Sequence, residues 1–125
     1  MLVDTNTFVD LLRNFQPAKS AFQKLLFGQS ASVTTKFELI VGSTDKSDLL
    51  KLLSRLKTLE ITFLPITPEV CNKAEDILTK YHLQKGILAE DAFIAATALV
   101  YNEELVTRNK KHFDFIPDLK IIVPY

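Results

Sequence analysis

A chain of 125 residues, 47% of them hydrophobic and 24% charged, has the make-up of one globular domain spanning residues 1–125, long enough to bury roughly two-thirds of its unfolded surface. Its 15 basic side chains balance its 15 acidic ones, so bulk charge draws in no nucleic acid, and any such binding needs a local patch. A single cysteine excludes an internal disulfide, and no apolar run approaches the roughly 20 residues that span a bilayer. At the N-terminus Asp4 interrupts the apolar residues and no basic segment precedes them, so the expectation is a soluble, cytoplasmic protein without a leader.

Leu2-Val3 reads as a buried strand that ends abruptly in Asp4-Thr5-Asn6. A helix follows, capped by Thr5 or Asn6 and turning Phe8, Val9, Leu11 and Leu12 inward. Pro17 suits the first turn of a second helix, which carries Ala21, Phe22, Leu25 and Leu26 until Gly28 stops it. Ala31 to Thr34 reads as a second strand. Thr35-Lys36-Phe37-Glu38 has the form of a capping box opening a short helix, Phe37 to Val41, with Gly42 behind it. From Asp45 to Leu59 a stripe of Leu49, Leu52, Leu53 and Leu56 recurs at helical spacing, widened by Leu50 and Leu59. That is more leucine than one core face needs, and it points to a partner surface.

Thr62 to Ile66 is a third strand, placed at a sheet edge by Pro65. Thr67-Pro68 opens a helix to about Tyr81 that uses Val70, Ala74, Ile77 and Leu78, with Cys71 read as a packing thiol. Gly86 lies in the loop before the stretch around which the chain is organised, Leu88 to Asn109. The middle of that stretch, Ala92 to Tyr101, is apolar nearly all round and belongs inside the protein. Ala95, Ala96 and Ala98 let it lie close against a sheet, and Asp91 stands at its start, where the helix dipole favours a carboxylate. A polar turn, Asn102-Glu103-Glu104, leads to a brief strand, Leu105-Val106-Thr107, and the polar group Thr107-Arg108-Asn109. Lys110 to Phe115 makes a turn or short helix, and Lys120 to Val123 is a last strand. This alternation predicts an α/β fold, a three-layer α/β/α sandwich around a mostly parallel five-stranded sheet.

In a parallel sheet Asp4, Glu38, Asp91 and the Thr107–Asn109 group gather at the carboxyl edge, where open α/β sheets bind ligands. Carboxylates held close repel one another unless a cation lies among them. Oxygen donors without His or Cys favour Mg²⁺ or Mn²⁺ over Zn²⁺, and such a centre suits phosphodiester hydrolysis. Each acid also has a plainer reading. Asp4 would cap the first helix, Glu38 would be the return half of its capping box, and Asp91 would be a dipole partner; it is their joint placement that favours a metal site. Arg108, Lys110 and Lys111 follow that edge and would either meet phosphates or form a solvated face. With three glycines, Gly28, Gly42 and Gly86, neither a dinucleotide fingerprint nor a phosphate loop is built, and no serine-hydrolase elbow is present. His82 and His112 stand 30 residues apart without a ligand-spaced partner and read as surface or packing residues.

Four segments, Leu2-Val3-Asp4-Thr5-Asn6, Phe37 to Gly42, Glu90 to Ala98 and Val106-Thr107-Arg108-Asn109, together resemble in order and spacing the PIN domain, and more narrowly the VapC-type ribonuclease toxins of toxin–antitoxin pairs. The resemblance covers essentially the whole chain and implies a Mg²⁺- or Mn²⁺-dependent endoribonuclease. Asp4, Glu38 and Asp91 match the family's metal-binding acids, Asn109 falls in its polar motif after the fourth strand, and Thr5, Asn6 and Thr107 would support the site. Where many relatives carry a further acid this chain has His112, with Asp114 two residues on. The family also implies a homodimer and a cognate antitoxin that threads a segment into the groove beside the acids, with helix 45–59 as part of those surfaces. The competing reading is a non-catalytic module of the same fold that binds RNA or protein around a structural metal. A phosphoacceptor receiver domain needs an acid after the third strand, where Pro65-Ile66-Thr67 supplies none.

Overall fold

The computed structural model describes residues 1–12 and 27–124. The helix expected from Pro17 through Leu26 lies outside the described residues. The elements in chain order are β1 (Leu2–Val3), α1 (Thr5–Leu12), β2 (Ser30–Ser32), α2 (Val33–Val41), α3 (Lys46–Thr58), β3 (Thr62–Leu64), α4 (Pro68–Lys85), α5 (Ala89–Val100), β4 (Leu105–Val106), a 3₁₀ turn (Lys110–His112) and β5 (Ile121–Ile122). The strands form one five-stranded sheet in the order β3-β2-β1-β4-β5. Every pairing is parallel, with Leu2 opposite Ser30 on one side and Leu105 on the other. From β1 the chain winds outward through β2 to β3, then returns to place β4 on the other flank of β1. The carboxyl ends of β1 and β4 therefore border the switch point at which such sheets bind ligands.

Alternate strand residues face opposite layers. Leu2 and Leu105 pack with Val70, Ala74 and Ile77 of α4 and with Ile94, Ala95, Ala96 and Ala98 of α5. Val3, Ala31 and Val106 pack instead with Phe8 of α1, Leu39 of α2 and Leu56 of α3. Three layers result, as the alternation of elements predicts, and β3 lies at an edge, as Pro65 predicts.

The helix ends have visible causes. The Thr67 hydroxyl accepts from Val70 N at 3.2 Å to open α4, with Pro68 in its first turn, and Gly86 closes it in the left-handed conformation (φ +69°). A side chain there would be strained, which lets α4 run four residues past Tyr81 and still stop cleanly. α5 ends in paired bonds, Glu103 N to Ala98 O at 2.8 Å and Asn102 N to Leu99 O at 3.3 Å, with Asn102 at φ 55°. The buried Thr97 hydroxyl donates to Phe93 O at 2.6 Å, so the helix lies against the sheet without an unpaired polar group at that position. Three expectations are corrected. α1 begins at Thr5, so Asp4 precedes it in place of Thr5 or Asn6; the Asp4 carbonyl accepts from Thr7 N and Phe8 N. β2 ends at Ser32, whose hydroxyl accepts from Thr34 N at 3.2 Å and starts α2 at Val33, so the Thr35–Glu38 capping box does not form. The β-branched Val33 and Thr34 resemble strand, but a serine cap overrides so weak a propensity. Cys71 is exposed, because Val70, Ala74 and Ile77 take the inner face of α4 and leave it outside. Among the described residues no helix is long and apolar enough to cross a membrane.

Candidate active site

Asp4 leaves β1 at the switch point and is 3% exposed. Its main chain is tied to β4 by Asp4 N donating to Val106 O at 2.9 Å. Its carboxylate Oδ2 accepts from the Thr107 hydroxyl at 2.8 Å, and that hydroxyl oxygen in turn accepts from Asn109 N at 3.0 Å. Since Thr107 Oγ1 receives the amide proton, its own proton is directed at Asp4. Burial pushes the Asp4 pKa up and the Thr107 bond opposes this; the charge of Asp91 raises it further, while a bond from the Thr5 main chain and the charge of His112 lower it.

Glu38 comes from the other side. The Thr5 and Thr35 hydroxyls share a buried hydrogen bond of 2.8 Å, which joins the start of α1 to α2 one turn before Glu38. Glu38 itself lies at the surface. Its pKa is raised by what desolvation it feels, by the charge and hydrogen bond of Glu90, and then by Asp4 and Asp91. Asp91, third residue of α5, is half-buried; desolvation raises its pKa, contact with His112 lowers it, and Glu90 raises it again. With the capping box absent, Glu38 is left without the structural role that competed with a place in the site.

The remaining candidates divide. Thr107 and Asn109 join the network, Asn109 through its main-chain N–H. Thr5 supports it from α1, whereas Asn6 points a solvent-exposed side of α1 outward. Arg108 is paired with Asp10 of α1, so its charge is partly offset, while Lys110 and Lys111 are exposed on the 3₁₀ turn. Two residues join the acids beyond those expected: Glu90, and His112, which stands where many relatives carry a further acid but reads as a surface or packing residue in the sequence. His112 Nδ1 stands 3.3 Å from Asp91 Oδ2, and Glu90 is a fourth carboxylate whose charge reaches both Glu38 and Asp91. The signal for Glu90 was adjacency to Asp91 at a helix start, and for His112 its position just after Asn109. Asp114 is exposed, and its charge is not among those that shift the three acids.

The donors are carboxylate oxygens set in mutual repulsion, the arrangement that a hard divalent ion relieves. Among the described residues no three His, Cys, Asp or Glu side chains stand close enough together to hold a metal ion as they are placed. Next to Glu38 a groove of about 390 Å³ runs between α1, α2 and α3, lined by Val9, Leu39 and Leu52 together with Asp48, Lys51 and Arg55.

A PIN-domain family model matches residues 1–118. The chain is 32% identical to Ribonuclease VapC19 of Mycobacterium tuberculosis, over 95% of this chain and 96% of the relative. It is 30% identical to Ribonuclease VapC1 of Methanocaldococcus jannaschii, over 91% of this chain and 79% of the relative. A solved toxin–antitoxin complex from Klebsiella pneumoniae contains a chain that superposes with a TM-score of 0.83 at 28% identity, over 99% of this chain and 97% of that one.

Proposed function

The chain belongs to the PIN-domain family, and from that premise we propose that it is an endoribonuclease, the toxin of a VapC-type toxin–antitoxin pair. It hydrolyses RNA phosphodiesters with Mg²⁺ or Mn²⁺ held by Asp4, Glu38 and Asp91. The observation that carries this reading is the buried Asp4 carboxylate at the switch point, oriented by Thr107 and facing the charges of Asp91 and Glu38. An anion is not buried there cheaply unless something positive shares the site.

When bound, the ion supplies an acidified water and a counter-charge for the phosphate. The chain's own residues do the rest. Thr107 occupies Asp4 Oδ2 and fixes the plane of the carboxyl group. Asp91 stands in the first turn of α5, where the helix dipole works against the desolvation that raises its pKa. Lys110 and Lys111 meet neighbouring phosphates, and Arg108, anchored by Asp10, lies beside them. The groove next to Glu38, apolar with basic and acidic residues along it, suits the segment that a cognate antitoxin threads beside the acids. The exposed Leu50 and Leu53 of α3 serve partner contacts, with the antitoxin or with a second copy in a homodimer.

The test is cleavage of end-labelled structured RNAs with Mg²⁺, Mn²⁺ or EDTA, beside Asp91→Asn. Cutting should require the metal and fall more than about a hundredfold in the variant, beyond the roughly 10–100-fold that loss of an outer hydrogen-bond partner costs. An active, folded Asp91→Asn protein would sink the assignment. No cutting by either protein, with no divalent-ion binding by calorimetry, would favour the non-catalytic binding module.

A further inference from the structure

His112 is placed at the site by the chain's own hydrogen bonds. His112 N donates to Asn109 O at 2.9 Å, Asn109 N to Thr107 Oγ1 at 3.0 Å, and Thr107 to Asp4 at 2.8 Å. The 3₁₀ turn that carries the histidine is thus tied by an unbroken path to the buried carboxylate. Its neighbour Phe113 is fully buried and pins the far end of the turn. The imidazole itself is 57% exposed, so it is not a core histidine, and Nδ1 stands 3.3 Å from Asp91 Oδ2.

That separation has a chemical meaning. Two adjacent donors on an octahedral ion with bonds of about 2.1 Å lie about 3.0 Å apart. The observed pair comes within a few tenths of an ångström of that edge. We infer that His112 supplies an imidazole nitrogen to the divalent ion that Asp91 holds, so that the site takes Mn²⁺ in preference to Mg²⁺. The inference rests on the metal-centre reading above and adds a donor to it. Mg²⁺ accepts oxygen donors and gives up its water reluctantly, whereas an imidazole favours first-row transition ions. A histidine in this place makes the centre an oxygen-and-nitrogen site in place of an all-oxygen one. The plainer arrangement is an imidazole that hydrogen-bonds Asp91 from outside and never touches the ion.

Pulsed electron paramagnetic resonance of the full chain loaded with Mn²⁺ separates the two. A directly bound imidazole gives nitrogen modulation of the Mn²⁺ echo. His112→Asp keeps a donor and, at an exposed position, keeps the fold. In that variant Mn²⁺ should still bind, the modulation should vanish, and the preference for Mn²⁺ over Mg²⁺ in calorimetry should drop roughly tenfold. His82→Asn, away from the acids, should leave the modulation unchanged. Stoichiometric Mn²⁺ without nitrogen modulation in the unaltered protein, or modulation that survives in His112→Asp, would overturn the inference and leave the acid centre standing. No Mn²⁺ binding at all would overturn both.

Discussion

The candidate site has a fixed side and an open side. Asp4 and Thr107 leave adjacent central strands, both are buried, and their hydrogen bond is backed by the Asn109 amide. Glu38 and Glu90 stand exposed on two helices and are related mainly by repulsion. The strand side sets geometry, since a sheet cannot shift one residue without breaking its ladder. The helix side sets charge, and its side chains remain able to rearrange. Hydrogen bonds thus orient the strand side, while the helix side is left with like charges that repel.

The sharpest way to break that contrast is Asp4→Asn, which retains a similar shape but removes the buried charge. Cleavage should fall by more than about a hundredfold while circular dichroism stays native; a folded Asp4→Asn protein that still cuts would mean that the fixed side does not carry the chemistry. Thr107→Val comes next. It takes a donor from Asp4 and an acceptor from Asn109 N, so activity should drop roughly 10–100-fold and stability by about 1–2 kcal/mol in denaturant melts.

Glu38→Gln probes the open side. Asp4, Glu38 and Asp91 all have folded pKa values above their ordinary 3.8, 4.5 and 3.8. The folded state therefore holds protons that the unfolded state has released, and stability from these groups is full at acid pH and lost as pH rises through the raised values. In EDTA, Glu38→Gln should raise the pH 7 melting temperature by roughly 2–4 °C, and Mn²⁺ should stabilise the unaltered protein more than the variant. A lower melting temperature in the variant would show that Glu38 is held by attraction. The smallest effect belongs to Leu50→Ser on α3, where the side chain is 57% exposed. Monomer stability should change by less than about 0.5 kcal/mol, whereas sedimentation should report weaker self-association.

Local chemistry made much of this legible. The apolar run of α5, the Thr67-Pro68 start, Gly86 and the acids at element ends follow from short-range rules, and their common edge follows from parallel winding. What escaped depends on competition or on distance. Ser32 and Thr35 both look like caps, and it is the Ser32 hydroxyl, accepting from Thr34 N, that starts α2. His112 reaches Asp91 across 21 positions, and Glu90 reaches Glu38 across two helices, so neither contact leaves a local trace in sequence. The leucines of α3 show the reverse limit. Their spacing predicted a helix correctly, but periodicity cannot tell Leu56, buried under the sheet, from Leu53, left toward solvent.

The bond between Asp4 and Thr107 joins residues 103 positions apart. Asp4, Glu38 and Asp91 all leave the ribosome before Thr107 does, and β1 must wait for β4 to fill its second flank. Pairing over such separations is slow to form because the chain loses loop entropy before the contact rewards it. A nascent chain released before Thr107 would carry every acid and no oriented site. The orientation of the buried carboxylate is thus among the last features the growing chain can form, because both its hydrogen-bond donor and its neighbouring strand come from the final fifth of the sequence.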